Sequence, residues 1–241
     1  MVSGSASRAD QRFTSRYHIE GRVDEYIRPH PDSAALLTID TQNDFTLPGA
    51  PAEIDGTAEA VPQMRRLVET FRSENAPIVH VVRLYKEDGS NVDHCRRKAI
   101  EAGAAIVQPG TDGAELVDEL KPSVDSRLDA NRLSDDEFQE IGPQEWIMYK
   151  PRWGAFYRTD LDEFLDAQSV DTIVVCGCNF PNCPRATIYE ASERDYRLVF
   201  VPDATSGVYD RGLRELENIG VAVKQTGEAI EWMASSSSTV M

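Results

Sequence analysis

The sequence predicts an α/β domain: three layers, α/β/α, around a six-stranded parallel sheet. Two observations carry this. Short apolar runs alternate along the chain with segments of helical spacing. The runs are apolar at every position, as in strands covered by helices on both faces. A chain of 241 residues suits one such domain and can bury a core without disulfides or metal.

In chain order, AALLTID (34–40) is the first strand and ends in an acid. Residues 57–74 have helical spacing, with Val61, Met64, Leu67, Val68 and Phe71 on one face. PIVHVVRLY (77–85) is the second strand, GAELVDEL (113–120) a short helix stopping before Pro122, and WIMYK (146–150) the third strand. DLDEFLDAQ (160–168) is a helix with Thr159 as candidate N-cap. TIVVCG (172–177) is strand four, and a helix over 184–194 follows it, with Pro184 suited to the first turn. RLVFVPDA (197–204) and VAVK (221–224) are strands five and six. They flank a helix over 211–220 that Gly220 can end, and a last helix spans 227–233. Residues 123–145 read as a long acidic connection with a short helix near 134–140, and 86–104 as a similar insertion.

The domain is expected over 33–233, between a polar N-terminal arm (1–32) and a low-complexity tail (234–241). The arm reads as an element that wraps the domain or a neighbouring subunit. The net charge of −16 argues against nucleic acid and anionic membrane partners. No segment reaches the length of a membrane span, and the N-terminus carries no apolar signal core. Four cysteines without a framework spacing predict a reducing, cytoplasmic setting.

The densest chemistry lies at the ends of the predicted strands, where open parallel sheets bind ligands. Asp40 ends strand one, Lys150 ends strand three, and Cys183 opens the helix after strand four. A thiol at a helix N-terminus meets unpaired N–H groups and the positive end of the dipole, which favours the thiolate. Together the three residues suggest a nucleophile, its proton acceptor and a supporting cation. Of the four histidines, His80 lies inside a strand and reads as structural, and His18, His30 and His94 lie in the arm and an insertion. Cys176-x-Cys178 is too little for zinc. No metal or other cofactor is expected.

Four blocks in order resemble the isochorismatase-like cysteine hydrolase family over roughly residues 33–225: ALLTIDTQNDF (35–45), QPGTDGAELVDELKP (108–122), KPRWGAFYRTDLDEFL (150–165) and GCNFPNCPRAT (177–187). That family includes N-carbamoylsarcosine amidases, nicotinamidases, ureidoacrylate, maleamate and streptothricin hydrolases. The resemblance implies a six-stranded parallel sheet and a catalytic triad of Asp40, Lys150 and Cys183. It implies a cis peptide between Cys178 and Asn179 that aims the Asn179 N–H beside the Cys183 N–H, forming an oxyanion hole. It also implies a homodimer or homotetramer.

The chain departs from the family pattern at Phe180, Pro181-Asn182 and Pro184. Phe45, Trp153 and Phe180 are candidate apolar walls for a small-molecule substrate, and Asn182 and Tyr189 candidate polar contacts. Nicotinamidases carry an Asp/His cluster soon after the first strand, and none is visible in 46–61. The resulting expectation is an amidohydrolase that cuts a C–N bond of a small amide, carbamoyl or lactam compound through a thioester. The insertions suggest an entrance reshaped for a larger amide. The alternatives are a vinyl ether hydrolase of isochorismatase type, which lacks the Cys in the family pattern, and a non-catalytic binding protein.

Overall fold

The structure is a computed structural model that describes residues 18–19 and 22–235, with side chains from residue 24 onward. Most of the N-terminal arm and of the tail lies outside these residues. A short antiparallel pair, His18–Ile19 with Arg22–Val23, is separate from the central sheet, whose strands are β1 (Ala34–Ile39), β2 (Ile78–Val82), β3 (Gln139–Gly142), β4 (Glu145–Tyr149), β5 (Thr172–Gly177), β6 (Arg197–Thr205) and β7 (Ala222–Val223). They form one sheet of order β3-β4-β2-β1-β5-β6-β7. Every pairing within it is parallel except β3 with β4. The chain builds outward from β1 to β4, then returns to the other side of β1 with β5. The switch point therefore falls between β1 and β5, where the sheet opens a crevice at its carboxyl edge.

The six expected strands are present, and β3 is a seventh. QEIG (139–142) carries a single large apolar residue, and none of its residues is fully buried, Glu140 being exposed. An antiparallel edge strand of that composition gives little periodic signal. The helix expected near 134–140 lies earlier, as α4 (Ala130–Ser134), capped by the Asp129 side chain on the N–H groups of Asn131 and Arg132.

The helices α2 (Thr57–Ser73) and α8 (Thr226–Ala234) cover one face of the sheet. The predicted stripe of α2 is buried there against Leu36, Val174 and Val199. The helices α5 (Leu161–Ala167), α6 (Cys183–Ser192) and α7 (Asp210–Glu217) cover the other, on Leu37, Ile39, Val175 and Phe200. One strand thus divides its alternate residues between two cores. The remaining helices, α1 (Asn43–Thr46) and α3 (His94–Glu101), lie at the carboxyl end of the sheet.

Two local expectations fail. Residues 113–120 are not a helix but two 3-10 turns, Asp112–Ala114 and Asp118–Leu120. Between them the chain extends against the turn after β1: the Asn43 N–H donates to Glu115 O (2.9 Å) and the Val117 N–H to Thr41 O (3.1 Å). These tertiary bonds take the groups a helix would use, overriding propensity. Thr159 does not cap α5. Its hydroxyl turns back to Ala155 O (2.6 Å), and Asp160 stands at the N-cap.

His80 is fully buried and structural, with Nδ1 on Thr38 (2.7 Å) and Nε2 on Glu145 (2.9 Å). Burial opposes charge on Glu145, but bonds from Arg72 and His80 outweigh it and hold the carboxyl below its ordinary range. No helix among the described residues is long and apolar enough to cross a membrane.

Candidate active site

Asp40 follows the last residue of β1 at φ +52, a left-handed conformation that Asp tolerates and that costs energy for a non-glycine. Its N–H is fixed to Val81 O (2.9 Å). Lys150 follows β4, its N–H on Val82 O (3.0 Å). The Lys150 side chain is completely buried, and Nζ donates to Asp40 Oδ2 (2.9 Å) and Arg152 O (3.2 Å). Asp40 Oδ1 is buried and receives no hydrogen bond among the described residues. One carboxylate oxygen is thus committed to a cation, while the other remains available.

Gly177 ends β5 at φ +122, where a side chain is excluded twice over: a Cβ would stand 2.3 Å from Ile39 O. The chain then turns through 179–182, held by the Phe180 N–H on Ser206 O (2.8 Å) and the Asn182 N–H on Asn179 O (3.1 Å). Cys183 opens α6 from this turn. Thr187 fixes the first turn of that helix, donating to Cys183 O (2.8 Å) and accepting from the Ala155 N–H (3.1 Å). No peptide bond among the described residues is cis, so the Cys178–Asn179 bond is trans, contrary to expectation. Gly177 and the unusual backbone of Asn182 (φ −115, ψ −99) turn the loop instead.

Asp40 and Cys183 line a tight cleft with room for only about 10 Å³, and Asn179 and Cys178 stand beside them. Phe45, Trp153 and Asn182 line it as expected, so with Asn179 four of the predicted residues converge around Asp40 and Cys183, and Lys150 is buried behind. Two expected contacts do not come to the cleft. Phe180 is fully buried beneath the loop, on Phe200 (ring centroids 4.9 Å) and Tyr209 (5.4 Å). Tyr189 is exposed on α6 under the Arg185 guanidinium.

The thiol is the reverse of the thiolate that its helix position favours. Burial, reinforced by the Asp40 charge, pushes Cys183 up to about 12, with Lys150 acting in the opposite direction. The dipole and the lysine are outweighed by desolvation. Cys183 is therefore a protonated thiol beside a base, not a preformed thiolate.

Two lining residues escaped the sequence reading, Ile54 and Arg96. Arg96 comes from α3, inside the 86–104 insertion. That segment therefore contributes one residue to the wall of the cleft. The signal that could have found it is the basic run CRRK (95–98), placed after a strand whose carboxyl end faces the site. Behind Arg96 stands a buried cluster: Arg83 donates to Asp93, to Tyr85 Oη (3.3 Å) and to Lys150 O (3.2 Å). Among the described residues no three His, Cys, Asp or Glu side chains are grouped to hold a metal.

A switch-point cleft holding an acid, a lysine and a cysteine from three strand ends defines the class, and the sequence matches it. The isochorismatase domain model covers residues 34–134 and 133–228, and the chain belongs to that family of hydrolases. An Arabidopsis thaliana protein described as a probable inactive nicotinamidase is 31% identical over 209 residues, covering 84% of this chain and 97% of its own. The ureidoacrylate amidohydrolase of Methylobacterium radiotolerans is 27% identical over 199 residues, covering 75% of this chain and 70% of its own. The crystal structure of an isochorismatase family protein from Desulfovibrio vulgaris superposes with a TM-score of 0.71 at 32% identity, covering 84% of this chain and 98% of that one.

Proposed function

We propose that the protein is a cysteine-dependent amidohydrolase that cuts a C–N bond, other than a peptide bond, in a small amide or carbamoyl compound. The amidohydrolase among its relatives supports the reaction class. The observation that carries the mechanism is the division of Asp40, with Oδ2 on Lys150 and Oδ1 unclaimed in the cleft that Cys183 also lines.

Asp40 Oδ1 accepts the thiol proton as Cys183 Sγ attacks the carbonyl carbon, a general-base step with carboxylate in the role histidine often fills. The high thiol value makes that base necessary, because little thiolate exists beforehand. Lys150 holds the Asp40 carboxylate in place through its bond to Oδ2 before the transfer and compensates the thiolate after it. The N–H groups of Asn179 and Cys183 are the donors we assign to the oxyanion, each worth about 3 kcal/mol in comparable sites. Asp40 returns the proton to the leaving nitrogen, which departs as the amine or ammonia. Water then adds to the thioester, giving its proton to Asp40, and the acid is released as the thiol is restored. The four free cysteines and the family membership fit the cytoplasmic setting and the homodimer or homotetramer of this reading, the latter testable by sedimentation.

A non-catalytic binding protein is the second reading, favoured by the Arabidopsis relative described as probably inactive. Ammonia release from a panel of small amides, carbamoyl compounds and lactams decides between them. Release by the wild type that disappears in Cys183→Ala is expected. Release that survives the substitution, or none from either protein, contradicts the proposal.

A further inference from the structure

The charges around the cleft are not balanced. Asp40 pairs with Lys150 and Asp93 with Arg83, both pairs buried. Arg152 approaches the second oxygen of Asp93 at 3.9 Å. Arg96 has no carboxylate within 4.0 Å among the described residues, although it lines the cleft and is half-buried. The partners that hold it are neutral. Nη1 donates to Tyr85 Oη (2.9 Å), and the guanidinium lies 5.6 Å from the Phe45 ring centroid and 5.4 Å from that of Trp153.

Two aromatic faces fix the plane of a guanidinium without neutralising it. The single bond to Tyr85 leaves most of its five donors unused by that contact. Burial opposes the charge, yet Tyr85, Cys183 and Asp40 together keep Arg96 more firmly protonated than usual. In a chain of net charge −16, a held cation with no carboxylate paired to it, at the wall of the reactive cleft, is a local exception. A cation so placed matches a planar carboxylate, which two parallel N–H donors of one guanidinium can hold.

We propose that Arg96 is the specificity residue of this cleft, and that the substrate is an amide or carbamoyl compound bearing a carboxylate, which Arg96 holds while Cys183 attacks the carbonyl. This rests on Cys183 being the reactive thiol of the site. The remaining walls, Phe45, Ile54 and Trp153, suit the short carbon skeleton that joins the two groups.

The test needs no knowledge of the substrate. Iodoacetate and iodoacetamide differ in bearing a carboxylate or an amide, and both alkylate a thiolate by displacing iodide. Their rates at Cys183 are read by peptide mass spectrometry in wild type, Arg96→Gln and Arg96→Lys. A change in thiol acidity alters both rates alike, so their ratio isolates recognition of the anion. The ratio of iodoacetate to iodoacetamide is expected to fall about ten-fold in Arg96→Gln, the loss of one charge-assisted contact. Arg96→Lys, which keeps the charge and loses the fork, should restore part of it. That partial rescue separates recognition from a collapsed site, which would lower the ratio in both variants. A ratio unchanged in Arg96→Gln overturns the assignment while leaving Cys183 as the nucleophile. Failure of either reagent to label Cys183 overturns the underlying reading as well.

Discussion

Asp40 makes two opposed demands on Cys183. Its charge holds the proton on the thiol, and its free oxygen is where that proton must go. Asp40→Asn separates these roles. With the carboxylate gone and Lys150 still present, the thiol falls toward its ordinary value, and each unit of that fall raises the thiolate fraction about ten-fold. Iodoacetamide labelling of Cys183 at pH 8 should accelerate, while ammonia release drops about 10²–10⁴-fold for want of a proton shuttle. Parallel slowing of labelling and release would contradict the account. The convergence of Asp40, Lys150 and Cys183 was legible in the sequence because strand-end positions and spacing survive in one dimension. The protonation state was not, since a helix terminus is visible in sequence and the desolvation that overrides it is not. Arg96 was missed for a related reason: its importance lies in what it lacks, a counter-charge, and only the folded arrangement shows that.

At the scale of elements, continuous apolar runs revealed six strands, because a strand covered on both faces is apolar at every position. The seventh, β3, is an edge strand stabilised by pairing with β4 and carries no such signature. The segment 113–120 was read from its own spacing, but its backbone is captured by residues 41–43, about seventy positions earlier. The loop before Cys183 misled in the same way. Phe180 looks like a pocket wall next to the nucleophile, yet its ring drops into the core, where a Cβ on Gly212 would stand 2.3 Å from it. Phe180→Ala should therefore cost about 3–5 kcal/mol of stability through the cavity it leaves. Trp153→Ala, at the half-buried lip of the cleft, should raise KM with a smaller loss of stability. Urea midpoints beside steady-state kinetics check the pair. A rise in KM for Phe180→Ala at unchanged stability would place that ring in the cleft after all.

For the whole molecule, the buried thiols couple the core to pH. Burial pushes Cys176, Cys178 and Cys183 each up to about 12 in the folded chain. Unfolded thiols ionise near 8.5, so the folded state binds more protons above that point. The thiol contribution is complete below about pH 8.5 and is lost as pH rises toward 12. Each thiol contributes a slope of about 1.4 kcal/mol per pH unit over that window. Cys176→Ala should make the fall in unfolding free energy between pH 9 and 10.5 shallower by about that slope, whatever its effect at pH 7. An identical slope in both proteins would show that Cys176 ionises freely when folded. The same burial that holds Cys176 and Cys178 as thiols acts on Cys183, which is why the proposed mechanism gives it a base in Asp40.

The covalent step is the centre of the account, and its most direct test is the mass of the enzyme during turnover. The wild-type protein, mixed with an amide that it hydrolyses and quenched in acid, should carry an added mass equal to the acyl group. Peptide mapping should place that mass on Cys183, and Cys183→Ala should neither gain it nor release ammonia. Sustained hydrolysis with no adduct at Cys183, and undiminished in Cys183→Ala, would contradict it.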